Sequence, residues 1–193
     1  MDEKIITIFG SSRPAVGDAD YEEARALGKG LAKCGFAICS GGYGGVMEAA
    51  SRGAKEAGGK TYGVTAEFFK RSPNEFVDVE VRKKTWQERL FALIEMADGY
   101  VACKGGTGTL VELAVVWEML NKSVMNEKPC VVFGDFWQPI LERVREVELG
   151  KHVKGSRVWG EANGKLVYSA KDVQDAISFL LQKLKQGNVV AGR

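Results

Sequence analysis

The stretch Gly105-Gly106-Thr107-Gly108-Thr109-Leu110-Val111-Glu112-Leu113 holds residue types that can do chemistry on an anion. Glycines let a backbone take conformations closed to other residues and approach a ligand with no Cβ in the way. The helix expected after them turns its unpaired first amides, and the positive end of its dipole, toward whatever occupies the turn. A phosphate suits that place. Glu112 stands one turn into the same helix, so an anion cradle and a carboxylate share one element and point to work on a phosphorylated small molecule. The residues also admit a plainer reading, in which Thr109 is the N-cap and Glu112 its capping-box partner, and both only stabilise the helix start.

Two other turns resemble this one in composition. Gly10-Ser11-Ser12-Arg13 follows the apolar run Ile5-Ile6-Thr7-Ile8-Phe9 and brings two hydroxyls and a cation. Ser40-Gly41-Gly42-Tyr43-Gly44-Gly45 follows Phe36-Ala37-Ile38-Cys39. Neither glycine-rich turn is GxGxxG, because Met47 and Val111 stand where the third glycine belongs, and the chain has no GxxxxGK[ST] loop. A dinucleotide or triphosphate site of those types is disfavoured; a monophosphate cradle needs neither pattern. Ser11, Ser12, Gly42 and Gly44 are expected to complete a crevice around Gly105, Gly106, Thr107, Gly108 and Thr109.

These turns need strands before them and helices after them. Continuous β-branched runs at 5–9, 36–39, 61–64, 100–103 and 129–133 read as buried parallel strands. Phe76 to Val81 alternates with period two, and Lys165 to Tyr168 is a short last strand. Helical spacing of apolar residues follows most of them, with start signals at Asp20 and Glu23, at Thr85 and Glu88, and at Ser169. The pattern predicts an α/β fold: one doubly wound, mainly parallel sheet of about seven strands with helices on both faces. Residues 1–186 form that single domain and 187–193 a loose tail. Ligands of such sheets sit beyond the carboxyl ends of the strands, where all three turns emerge.

Composition narrows the function. A chain of 193 residues with 45% hydrophobic and 27% charged residues is ordinary for a globular domain. A net charge of +2 gives no electrostatic case for nucleic acid or a membrane surface, and the one dense basic cluster, Arg82-Lys83-Lys84, reads as a solvated loop or strand end. No apolar run approaches a membrane span, and the N-terminus has no signal-like segment. Cys34, Cys39, Cys103 and Cys130 lie in apolar segments without a CxxC pair and read as buried thiols of a reducing compartment, the cytoplasm. No spacing suggests a metal site, and no cofactor is expected. The one histidine, His152, lies among lysines and glycine with no nucleophile marked beside it. Catalysis would then rest on carboxylates and arginine, which suit reactions through a cation such as cleavage of a glycosidic bond.

Gly105 to Glu112 matches the GGxGTxxE part of the PGGxGTxxE motif of the Lonely guy family, cytokinin-activating nucleoside 5′-monophosphate phosphoribohydrolases whose relatives are often labelled lysine decarboxylases. Phe9-Gly10-Ser11-Ser12 and Ser40 to Glu48 resemble the same superfamily of Rossmann-like nucleotide-binding proteins, and the resemblance covers about residues 5–133. It implies an arginine nine residues before the Asp that opens the central strand, which Arg89 and Asp98 satisfy. Lys104 departs from the motif's proline, Leu90 from the lysine that tends to follow the arginine, and Glu48 from the glycine that tends to follow Met47; the second glycine turn and Glu48 look more like the branch that includes molybdenum-cofactor carriers. Nothing identifies a Schiff-base lysine for pyridoxal chemistry.

What the resemblance implies is hydrolysis of the N-glycosidic bond of a nucleoside 5′-monophosphate. Glu112 would stabilise the ribose cation or orient water, Arg89 would hold Glu112 and the sugar phosphate through bidentate bonds, and the glycine turn would hold the phosphate. The alternative is a non-catalytic carrier or sensor of a phosphorylated ligand. The helix after the cradle is apolar nearly all round, so a homodimer or higher homo-oligomer is expected, unless the C-terminal helix covers the second face.

Overall fold

The computed structural model describes residues 3–148 and 166–190, and His152 lies outside the described residues. Seven strands form one sheet: β1 (Ile5–Phe9), β2 (Ala37–Ser40), β3 (Thr61–Ala66), β4 (Val79–Lys83), β5 (Gly99–Ala102), β6 (Cys130–Phe133) and β7 (Val167–Ala170). All neighbours are parallel, in the order β4-β3-β2-β1-β5-β6-β7. The chain winds outward from β1 to β4, returns to pair β5 with the free side of β1, and winds out the other way. The switch point lies between β1 and β5, where Ile6 faces Gly99 and Phe9 faces Ala102. This is the α/β Rossmann-like architecture that the sequence predicts.

Among the described residues six α-helices cover the sheet: α1 (Ala19–Lys33), α2 (Val46–Glu56), α3 (Trp86–Glu95), α4 (Thr107–Asn121), α5 (Gln138–Glu148) and α6 (Val173–Val190). On one face Tyr21, Leu27 and Leu31 of α1, Val46 and Ala50 of α2, and Ile177 and Leu180 of α6 close over Ile6, Ile8, Ile38 and Val101. On the other face Leu93 and Ile94 of α3, Leu113 and Val116 of α4, and Leu141 of α5 close over Phe9, Val64, Tyr100 and Val132. Strands β1, β2, β3, β5 and β6 are buried on both sides, which is why they read as continuous apolar runs, while the edge strand β4 is largely exposed.

On the first face α1 and α2 touch backbone to backbone through glycines. A Cβ on Gly28 would fall onto the Ala50 carbonyl, and one on Gly53 onto the Arg25 carbonyl. No side-chain rotation relieves either clash, so the helices would have to part. Gly53→Ala is expected to cost about 3 kcal/mol and lower the melting temperature by roughly 10 °C, read by calorimetry. A change below 2 °C would show that the helices slide apart freely.

Several boundaries differ from the sequence reading. The N-cap of α1 is Asp18, whose Oδ2 accepts from the Ala15 amide, while Asp20 sits in the first turn and turns to Lys104. Strand β4 begins at Val79, not Phe76, because Asp78 is taken by the Thr61 amide and hydroxyl; it runs on through Arg82 and Lys83. Ser169 lies in β7, and Asp172 holds the start of α6 by accepting from the Asp175 amide. Helix α6 continues through Gly187 to Val190, where the sequence suggested a tail; a helical glycine costs only about 1 kcal/mol. Cys39, Cys103 and Cys130 are buried as expected, with thiols pushed up to about 12 by burial, but Cys34 is exposed. Thr85 and Glu88 do form the expected capping box at the start of α3.

Candidate functional site

A cleft of about 1030 Å³ opens at the carboxyl edge of the sheet over the switch point. Gly105, Gly106, Thr107, Gly108, Thr109 and Glu112 line it from the β5–α4 turn, Gly10, Ser11, Ser12 and Arg13 from the β1–α1 loop, Tyr43 and Met47 from around the second glycine turn, and Arg89 from α3. The β1 loop is tied to both neighbours, because the Ser11 amide donates to the Lys104 carbonyl at 3.2 Å and the Val46 amide donates to the Ser11 carbonyl at 2.8 Å.

Helix α4 begins at Thr107 with Gly106 as N-cap, three residues earlier than a capping box at Thr109 would require. The first hydrogen bond inside the helix is donated by Leu110 to the Gly106 carbonyl. The amides of Thr107, Gly108 and Thr109 are therefore the unpaired ones of the first turn, and they belong to residues that line the cleft. Thr109 is buried inside that turn, and Glu112 lies in the second turn, where it caps nothing. The plainer reading of Glu112 falls on this geometry.

Glu112 instead faces Arg89. Its Oε1 lies 3.8 Å from Arg89 Nη1, and the two side chains are 14% and 8% exposed. Arg89 is held from several sides. Its Nε donates to the Val64 carbonyl at 2.8 Å and its Nη2 to the Gly41 carbonyl at 3.2 Å. The rings of Tyr43 and Phe69 lie 5.5 and 5.6 Å from the guanidinium carbon. The expected bidentate grip on Glu112 is absent, because two donor positions are spent on the carbonyls of β3 and the second glycine turn, leaving one long contact to the carboxylate. Burial pushes the Glu112 carboxyl up to about 7, against the opposing pull of Arg89. Burial also lowers the Arg89 guanidinium from its ordinary value, while Glu112 and Tyr43 act in the opposite direction.

The second glycine turn serves this arrangement indirectly. Gly42 adopts a positive φ of 77° and packs against Gly63 and Thr65, and neither it nor Gly44 lines the cleft. Its carbonyl accepts from the backbone amide and the Nδ2 of Asn74, and the Tyr43 carbonyl accepts from the same Nδ2. The Tyr43 hydroxyl accepts from the Ala66 amide at 3.0 Å. The turn thus holds the ring that lies against Arg89. Glu48 is likewise structural, accepting from the Tyr21 hydroxyl at 2.8 Å.

Sequence reasoning placed Arg89, Glu112, Ser11, Ser12 and the glycine turn in one crevice, and the fold brings them together. It missed Tyr43, Phe69, Trp86 and Phe136 as aromatic lining and gave Arg71 and Asn74 no role. The signal for the last two was their place in the excursion after β3, which emerges at the same edge. Lys104, the departure from the motif's proline, pairs with Asp20 at 3.0 Å across the cleft wall, and Leu90 is a buried residue of α3 that lines the cleft beside Arg89. Among the described residues, no group of three or more His, Cys, Asp or Glu is placed to hold a metal, and no helix is long and apolar enough to cross a membrane.

The fold recurs elsewhere. A protein of Archaeoglobus fulgidus is 32% identical over 112 residues, 58% of this chain and 73% of that one. The cytokinin riboside 5′-monophosphate phosphoribohydrolase of Rhodococcoides fascians is 24% identical over 184 residues, covering 91% of this chain and 88% of the relative. Among solved structures, the molybdenum cofactor binding protein of Rippkaea orientalis superimposes with a TM-score of 0.75 at 25% identity, over 95% of this chain and 99% of that one. A molybdenum cofactor carrier protein of Chlamydomonas reinhardtii reaches 0.73 at 27% identity, over 96% and 99%. The model of the SLOG cluster4 family matches residues 3–153, from β1 past the last residue of α5, and the chain belongs to that family.

Proposed function

We propose that the protein hydrolyses the N-glycosidic bond of a nucleoside 5′-monophosphate, releasing the free base and ribose 5-phosphate. The observation that carries the reading is Glu112: a carboxylate freed from any capping role, buried beside Arg89 and one turn from unpaired amides at the cleft. The amides of Thr107, Gly108 and Thr109 take the phosphate, with Ser11 and Ser12 across from them. Glu112 then stands by the ribose. As the C1′–N bond breaks, its electron pair leaves with the base, and positive charge grows on the sugar. An ionised Glu112 stabilises that charge and draws water toward C1′; the water oxygen forms the new bond and its proton passes to the departing base. Arg89, fixed by two carbonyls and two rings, holds Glu112 in place. The Rhodococcoides phosphoribohydrolase relative supports the substrate class.

A second reading is favoured by the solved structures, whose proteins bind or carry the molybdenum cofactor, and by the two departures at Leu90 and Lys104. In it the same cradle holds a phosphorylated ligand without turnover. Incubation with a panel of nucleoside 5′-monophosphates, followed by chromatography of released base, separates the two. Base release from at least one supports the hydrolase. Binding by calorimetry with no release from any overturns it in favour of the carrier.

The assembly is proposed as a dimer through α3 and α4. Helix α6 packs on the opposite face, against α1, β5, β6 and β7, so it is not the cover for the outer side of α4 that the sequence left open. Exposed apolar residues of the two helices are Leu110 of α4, at 36%, and Phe91 and Trp86 of α3, at 46% and 36%. A second copy covers such a face by self-complementarity. Light scattering at micromolar concentration is expected to give twice the 21.0 kDa chain mass. A monomer that retains full activity would sink the proposal.

A further inference from the structure

Four basic side chains line the cleft: Arg13, Arg71, Arg89 and Lys104. Arg89 has Glu112 and Lys104 has Asp20. Arg13 and Arg71 have no carboxylate partner among the described residues. The two sit on loops that follow different strands. Arg13 sits on the loop after β1, next to β5 and its cradle. Arg71 sits on the segment after β3, three strand positions from β5 in the sheet order.

The segment that carries Arg71 is built to present it. On one side Phe69 is fixed against Arg89 and edge-on to Tyr43. On the other side Asn74 holds the Gly42 and Tyr43 carbonyls and takes the Phe76 amide on its Oδ1. Between these anchors Lys70 adopts the left-handed conformation at φ 48° and ψ 38°, one that a residue with a side chain takes at a cost. The reversal at Lys70 turns the chain after the 3₁₀ turn Glu67–Phe69, so that Arg71 lines the cleft. Phe69 and Trp86, both about one-third exposed, line the same cleft and offer flat faces to a base.

We propose that Arg71 is a second phosphate-binding group of this cleft, so that the ligand is a nucleotide carrying another phosphate remote from the one held at the start of α4. The proposal rests on the nucleotide reading given above and deepens its substrate class. Arg13 and the amides of α4 account for one phosphate; a partnerless guanidinium at the far end accounts for the other, because an arginine fork matches a phosphate with two parallel hydrogen bonds. The separation distinguishes a nucleoside 3′,5′-bisphosphate from a 5′-diphosphate, whose phosphates are adjacent and would both crowd the cradle.

Calorimetry with the full-length protein tests this at constant ionic strength, using the 5′-monophosphates, 5′-diphosphates and 3′,5′-bisphosphates of adenosine, guanosine, cytidine and uridine. For at least one base the bisphosphate is expected to bind about tenfold more tightly than the monophosphate, and more tightly than the diphosphate. In Arg71→Ala that ratio is expected to fall to within about twofold, and Arg71→Lys to keep part of it. Equal affinity of bisphosphate and monophosphate in the wild type overturns the proposal, as does a ratio that survives Arg71→Ala. Base release from a monophosphate alongside equal affinities would leave the hydrolase standing and remove only Arg71. Failure of every nucleotide to bind removes both.

Discussion

Glu112→Gln is expected to abolish base release, by at least about a thousandfold, while nucleotide binding and the fold persist. Glutamine keeps the shape of the side chain, and because Glu112 caps nothing, no helix contact depends on its charge. The wild-type enzyme should show the same dependence through pH. The carboxyl is pushed up to about 7, so a reaction that needs it ionised rises with pH and levels off above that value. Stability runs the other way. Between the ordinary value of 4.5 and about 7, the unfolded chain has already released this proton while the folded chain still holds it. The folded state therefore loses stability as pH climbs through that window, by on the order of 3 kcal/mol from this group. Glu112→Gln should remove this slope. Thermal unfolding of both proteins from pH 4 to 8 checks it; parallel curves would mean that the carboxyl titrates as an ordinary surface group.

Removing Arg89 is expected to be the most damaging single change in the cleft. Arg89→Met leaves the Val64 and Gly41 carbonyls without their donors and strips Glu112 of the cation beside it. One partner of a buried pair removed alone costs about 3–5 kcal/mol. Arg89→Lys keeps a charge but cannot reach both carbonyls and the carboxylate at once, so it too should lose stability as well as most turnover. In Arg89→Met Glu112 loses the pull that opposes its burial, and the acidic limb of any residual activity moves to higher pH. Wild-type melting temperature and turnover in Arg89→Lys would show that a diffuse positive field suffices.

The apolar runs of β1, β2, β5 and β6 were legible because a strand covered on both faces has one physical requirement, continuous hydrophobicity. The capping box of α3 was legible because it is written within four residues. The start of α4 misled for a related reason: Thr109 and Glu112 satisfy the same local pattern, while the actual N-cap, Gly106, has no side chain to announce it. Arg89 and Glu112 could be joined in advance only through family resemblance, since 23 positions separate them, on two helices with β5 between. The Tyr43 and Phe69 rings around Arg89, and the presentation of Arg71 by Asn74, are tertiary facts with no local signature. Gly42 and Gly44 looked like ligand glycines, yet Gly42 is spent on a tight backbone approach to Gly63 that holds Tyr43 in place.

The pairing of β1 with β5 has a consequence for how the molecule comes together. β1 to β4 are each beside the next strand in sequence, and so are β5 to β7; only the β1–β5 ladder joins the two sets, across more than ninety positions. Closing that long loop is the slow, entropically costly event. The bonds that shape the cleft, from Cys103 to Phe9 and from Ser11 to Lys104, lie on that seam. The site is expected to be complete only once the two halves of the sheet are joined. A ligand held across the seam should slow unfolding and leave the folding rate almost unchanged, a division that stopped-flow measurements with and without nucleotide resolve.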